Sequence, residues 1–297
     1  MNSFRWQTVC LSLGLAVLLA STAMAKAPAR GDDSLDFHLA YAPADEMTTE
    51  ETGVESVTYA EGSDYREVSD FFNIREANAN VEQGEWEVEV EFEWFTGKGE
   101  GDDSFGVLPN IKYGFTDDMW LEVEVLAENL GDGANQGNGD LAILFFYQFL
   151  HEDGTLPALA AWIDSRIPTG DSSSGVDGAL HFNLTKTIAD NFRFNFEAYA
   201  RTANGGPGDE DEGRRPFQWG MGPGLDYQID DQTIVLVNYL NRSSEETGHP
   251  NQNILECGLA RELFEGSHLK AAADVGLDGH EETPEFGVKL EWTYEWR

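Results

Sequence analysis

The chain has 297 residues, with 55 acidic side chains against 18 basic ones and a formal net charge of −37. That balance excludes nucleic acid as a partner, because no basic stripe exists to displace phosphate counterions. It suits a surface or pore that gathers cations, and it equally serves solubility alone.

At the start, Arg5 precedes an apolar run over residues 11–20, and small residues follow, ending in Ala23, Met24 and Ala25. This predicts a secretory signal peptide over residues 1–25, cut after Ala25. Its one charged side chain is Arg5, so the mature chain carries 17 basic against 55 acidic groups, 17 minus 55 or −38. Cys10 leaves with the signal. Cys257 then stands alone, and an internal disulfide is excluded even in an oxidising compartment. Residues 26–80 are acidic and lack periodicity, which predicts a flexible, disordered periplasmic segment. Within it, Phe71, Phe72 and Ile74 have the chemistry to dock as a short element or to plug a barrel from below.

Residues 81–297 read as one domain. Its first segment, 85–95, alternates without fault: Trp86, Val88, Val90, Phe92 and Trp94 point one way and five glutamates the other. A period of two is a strand with one oily and one charged face. Eleven further amphipathic segments follow, ending on 285–296 with Phe286, Val288, Leu290, Trp292, Tyr294 and Trp296 on one side. Pro109 predicts an irregularity in the second of them. The fourth is apolar on both faces, though Leu141, Ile143, Phe145, Tyr147 and Phe149 form its clean stripe. Twelve is an even number, as closed bacterial membrane barrels require.

The connections discriminate further. Long Gly- and Asp-rich ones (96–104, 130–139, 168–178, 202–216, 243–253, 278–284) alternate strictly with short ones (116–118, 151–156, 189–191, 230–231, 264–267). A barrel in an outer membrane has long loops outside and short periplasmic turns, whereas a soluble barrel has no reason to segregate loop length. Aromatic side chains near segment ends, among them Trp86, Trp94, Trp120, Tyr227, Trp292 and Trp296, suit interfacial girdles. The expectation is therefore an all-β fold: a single closed, antiparallel, up-and-down transmembrane β-barrel of about twelve strands with a flexible N-terminal segment. It would sit in a Gram-negative type of outer membrane with both termini periplasmic. Its partners would be outer-membrane lipid, the barrel-assembly machinery and a small-molecule solute.

Several stretches in mid-chain carry a family likeness: Gly139-Asp140-Leu141, Tyr147-Gln148-Phe149-Leu150-His151-Glu152, Pro157-Ala158-Leu159-Ala160, Ile167-Pro168-Thr169-Gly170-Asp171 and Gly222-Pro223-Gly224-Leu225. Over about residues 111–296 the chain resembles the outer-membrane barrel family named for the meta-pathway of phenol degradation and labelled as transporters. The resemblance implies a barrel that moves small compounds, aromatic ones among them. Phe146 stands where the family pattern has a lysine.

With charged faces turned inward, Glu87, Glu89, Glu91, Glu122 and Glu124 form an acidic wall on the first and third strands. Arg166, Arg193 and Arg201 come from the fifth and seventh strands, about half-way round. Opposed walls of this kind would set a transverse field across a pore. Neighbouring carboxylates need water, cations, or Lys112 and Lys289 beside them. Other chemistry is weak. His181 and Asn183 share a face but have no serine partner, residues 131–140 lack the closing Glu of a calcium loop, and residues 209–212 read as a solvated acidic loop. The six histidines show no metal spacing, so neither cofactor nor enzymatic activity is expected. The sequence points to a passive channel or transporter for small solutes, aromatic or polar. The alternative is a structural or surface-interaction barrel with its lumen closed by its own side chains or by residues 71–74.

Overall fold

A computed structural model describes residues 71–96, 104–125, 140–170, 175–203, 215–278 and 283–297. Twelve strands account for most of them: β1 (Trp86–Thr96), β2 (Ser104–Thr116), β3 (Met119–Val125), β4 (Leu141–Leu150), β5 (Ala158–Ile167) and β6 (Asp177–Ala189), then β7 (Phe192–Thr202), β8 (Phe217–Asp230), β9 (Thr233–Arg242), β10 (Gln252–Phe264), β11 (Ser267–Gly276) and β12 (Phe286–Trp296). Each strand pairs with its sequence neighbours, and β1 pairs with β12, so the sheet closes into a cylinder with no free edge.

Alternation decides which side chains point where. Along β12, Val288, Leu290, Trp292, Tyr294 and Trp296 are exposed on the outside, while Lys289, Glu291 and Thr293 are buried within. On β4 the outward set is Ile143, Phe145, Tyr147 and Phe149, and the inward set is Ala142, Leu144, Phe146 and Gln148. A water-soluble protein would reverse this, because it costs about 25 cal/mol per Å² to leave apolar surface in water. An apolar exterior over a charged interior is stable only where hydrocarbon is the outer solvent.

Val90 lies midway along β1, between Trp292 of β12 and Pro109 of β2. Arg at this outward position is expected to destabilise the barrel by about 2–4 kcal/mol. Reversible urea unfolding in lipid vesicles measures this, and an unchanged midpoint would place Val90 away from mid-bilayer. Pro109 itself causes no break, since pairing with β1 runs unshifted from Ser104 to Tyr113.

Five register shifts do occur, at Gly114/Thr116, Gln148/Leu150, Thr187/Ala189, Gln228/Asp230 and Glu262/Phe264. All lie beside the short connections. A bulge there adds local twist and turns the chain tightly into the next strand. This end of the cylinder, where β1 begins and β12 finishes, is called the turn rim below, and the opposite end the loop rim.

Residues 71–80, expected in a disordered periplasmic segment, instead run inside the cylinder. Phe71, Phe72, Ile74, Ala77 and Val81 are all buried, Ile74 completely. The physical reason is compositional: the stretch carries enough apolar side chains to pack, but in irregular order, and so shows no period. Residues 1–70 lie outside the described residues, and with them the expected signal peptide and the rest of the acidic segment.

Residues 82–85 clip this strap to the turn rim. Gly84 takes φ of 81°, a conformation that favours glycine, and its N–H donates to Gly114 O at 2.8 Å. Gln83 N–H donates to Asp117 Oδ1 at 3.1 Å, and Glu82 pairs with Arg297. Gly114 is required by close approach, because a Cβ there would run into the carbonyl of Glu82.

Candidate functional site

The lumen is the candidate site, and the strap is its occupant. From the turn rim inward, alternate strap N–H groups donate to side chains of the wall. Ala79 N–H donates to Gln148 Oε1 on β4 (3.0 Å), Ala77 to Thr185 Oγ1 on β6 (2.8 Å), Arg75 to Glu197 Oε2 on β7 (2.9 Å) and Asn73 to Glu256 Oε1 on β10 (2.9 Å). Carbonyls are served too: Asn183 Nδ2 donates to Arg75 O and Lys289 Nζ to Phe71 O. Counted along the strands from the turn rim, the acceptors climb from the third residue of β4 to the ninth of β10. The strap thus crosses the lumen obliquely, rising past mid-height.

Its side chains fill three apolar recesses in the wall. Phe71 and Phe72 pack on Ile234, Leu236, Ala260 and Ala272, and Ile74 packs on Leu240 and Ile254. Ala77 and Val81 join Trp120, Leu144, Phe146 and Trp162. Inward glycines make the room. A Cβ on Gly222 or Gly224 would press on Ile74, and one on Gly258 would enter the ring of Phe72. The Gly222-Pro223-Gly224 stretch therefore has a steric role here, as the floor under Ile74.

Trp120 does not join an interfacial girdle. It points inward and stacks on Phe146, with centroids 5.0 Å apart and planes 2° from parallel. The sheet register dictates this, because Glu122, two residues on, shares its inward face. Phe146 thus makes its lumenal position aromatic. The girdle of the turn rim is made instead by Trp86 against Tyr113 (4.6 Å) and by Tyr294 stacked on Trp296 (6.0 Å).

The predicted acidic wall exists, but it is not bare. Glu87 and Glu89 are fully buried and share Lys112 of β2, at 2.8 and 2.7 Å. Glu89 also meets Lys270 of β11 (3.1 Å), which reaches Glu291 of β12 at 2.7 Å. Four strands are thereby tied across the β1–β12 closure. Glu122 is buried opposite Lys112, while Glu91 and Glu124 keep partial exposure.

The three arginines do lie on the far wall, but each meets a local carboxylate. Arg193 holds Asp226 (3.0 Å) and the strap's Glu76 (2.8 Å). Arg166 meets Asp140 (2.7 Å), and Arg201 meets Glu245 (3.3 Å) near the loop rim. Charges paired at contact leave a much weaker field across the lumen than two opposed bare walls, since each pair is nearly neutral at a distance. Asp140 also accepts from Gly170 N–H, and Thr169 Oγ1 accepts from Leu141 N–H. Asp140-Leu141 and Thr169-Gly170 thus meet in one clasp at the loop-rim ends of β4 and β5.

His181 packs between Trp162 (3.4 Å) and Tyr199 (4.9 Å), and its Nδ1 lies 2.7 Å from Glu197 Oε1. It is an aromatic and hydrogen-bonded wall residue. No cluster of His, Cys, Asp or Glu among the described residues has metal-binding geometry. The loops over 131–139 and 209–212 lie outside the described residues.

A closed antiparallel cylinder of twelve strands, apolar outside and charged within, has the fold of an outer-membrane β-barrel. Solved structures agree. An outer membrane channel from Pseudomonas putida F1 superposes with a TM-score of 0.57 at 14% identity, covering 74% of this chain and 98% of that one. A KdgM porin solved with disordered oligogalacturonate gives 0.51 at 8% identity, over 71% and 99% of the two chains. The NanC porin gives 0.50 at 8% identity, over 70% and 98%. No family model matches the chain, and no curated protein does.

Proposed function

We propose that the protein is a passive outer-membrane channel for small solutes, resident with its turn rim in the periplasm, whose lumen is regulated by the strap. The observation that carries this reading is how the strap is held. It contributes no strand to the sheet, and its backbone hangs on side-chain acceptors of the wall. Such a segment can leave without opening a single rung of the barrel ladder. The structures that share the fold are a channel and porins by name, which supports the reading.

Once the strap swings out about Gly84, the lumen presents two surfaces. One, from β6 round to β2, is polar and charged apart from the two recesses on β9, β10 and β11 that hold Phe71, Phe72 and Ile74. The other is aromatic, from Trp120, Phe146 and Trp162. The second surface supports passage of aromatic compounds, as the resemblance to the phenol-pathway family implies. Small polar solutes would pass along the first. The signal peptide over residues 1–25, export and handling by the barrel-assembly machinery belong to the same proposal.

Single-channel recording in planar bilayers tests it. The intact protein is expected to show small, brief openings, and replacing residues 71–81 by a Gly/Ser chain should give large, sustained ones. Silence from both would favour a second reading, a permanently closed structural barrel, for which the buried ion-pair ladder is the observation. Glu91→Gln combined with Glu124→Gln, at the partly exposed acidic positions, is expected to lower cation over anion permeability about twofold or more. An unmoved reversal potential would remove those two residues from the pathway.

A further inference from the structure

We propose that the inward wall from β4 round to β12 is a binding site for a non-helical, arginine-bearing peptide, which the strap fills in cis. The inference deepens the channel reading and rests on its lumen, because it names a ligand class for the emptied wall.

Four wall acceptors take N–H groups from every second residue of the strap, the spacing of one face of an open peptide chain. Small sugars or phenols offer no such row of donors. At one place the wall also reads a side chain. The guanidinium carbon of Arg75 sits 4.0 Å from the ring centroid of Trp162, in cation–π contact. Glu197 accepts from the N–H of the same residue, and Asn183 donates to its carbonyl. The wall therefore holds Arg75 by ring, N–H and C=O together.

The wall is organised by contacts that do not involve the strap. Trp162 is backed by the His181 and Tyr199 stack, and Glu197 is oriented by His181. Thr185 donates to Asn195 Oδ1 (2.7 Å), and Glu256 is held by Asn238 (2.8 Å) and Lys289 (2.7 Å). A site so braced keeps its shape when its occupant leaves and binds with less ordering cost. A plug needed only to block would require volume and apolar packing. The row of acceptors and the aromatic seat for a guanidinium add recognition to that.

The test uses a labelled synthetic peptide with the sequence of residues 70–82, and the same peptide with alanine in place of its arginine. The host is the full-length protein with residues 71–81 replaced by Gly/Ser, and binding is read in detergent by fluorescence anisotropy. The peptide is expected to bind this host at least about tenfold more tightly than the alanine version. Trp162→Ala in the host should remove that difference. The native protein, with its site filled, should bind neither peptide appreciably. Equal binding of the two peptides, or equal binding to native protein and host, would overturn the proposal.

Should the Gly/Ser host fail to fold, full-length Arg75→Ala keeps the question open to measurement. Arginine amide should then quench tryptophan fluorescence saturably, and absence of quenching would count against the site. Binding is measured without current flow. A barrel that binds the peptide but never conducts refutes the channel and leaves the site standing, while one that conducts but ignores arginine refutes the site alone.

Discussion

Gly258→Leu in the full-length protein is expected to drive the strap from the lumen and raise single-channel open probability by about 5- to 100-fold. A Cβ at residue 258 would already overlap the ring of Phe72 and sit 2.9 Å from Leu236 Cδ1, and a leucine adds three more carbons. Overpacking of this kind costs about 1–3 kcal/mol, and 1.4 kcal/mol is tenfold in a population. The barrel can avoid that cost by releasing Phe72, because the strap contributes no strand. Gly258→Ala should shift the equilibrium the same way by less. An open probability that stays at the wild-type level in both variants would mean that Phe72 does not limit conduction.

The second large effect is on stability. Lys270 is wholly buried between Glu89 (3.1 Å) and Glu291 (2.7 Å) and reaches β1 across β12. Lys270→Met is expected to destabilise the barrel by about 3–5 kcal/mol, since it takes a buried cation from Glu291 and from Glu89, which keeps Lys112. Adding Glu291→Gln should recover part of the loss, because removing both partners of a buried pair costs less than removing one. Urea midpoints of the single and double variants, with Glu291→Gln alone to close the cycle, measure the coupling. A double variant no more stable than Lys270→Met would show that Lys270 acts through packing and not through charge.

Most of the barrel is legible in the sequence because a closed sheet writes its two solvents into alternate residues. Residues 85–95 and 285–296 do so without interruption, and they form the paired closing strands β1 and β12. The short connections all fall at one rim, so their alternation with long ones follows the up-and-down order of the strands. Inward apolar residues broke the rule. Ala142, Leu144 and Phe146 made β4 oily on both faces, and Trp120 resembled a girdle residue by its place near a strand end, although alternation puts it on the face of Glu122.

That inward apolar face was the visible sign that something other than water fills the lumen. Glycines at 222, 224 and 258 were a second sign, legible only once Ile74 and Phe72 are seen against them. Lys112 was among the cations expected beside the acidic wall, and it meets Glu87 and Glu89. The part played by Lys270 was not legible, because it reaches Glu89 across β12, and single-strand periodicity says nothing about such reach.

The central claim is that residues 71–81 lie inside the cylinder. Ala77→Cys together with Thr185→Cys tests it most directly, in a background where Cys257→Ser removes the native thiol, because Ala77 N lies 2.8 Å from Thr185 Oγ1. Mild oxidation of the folded protein in vesicles should cross-link residues 77 and 185, shift its mobility on a non-reducing gel and hold conductance low until reductant is added. No cross-link, together with rapid labelling of the residue-77 thiol by a bulky membrane-impermeant maleimide, would put the strap outside the barrel and contradict the account.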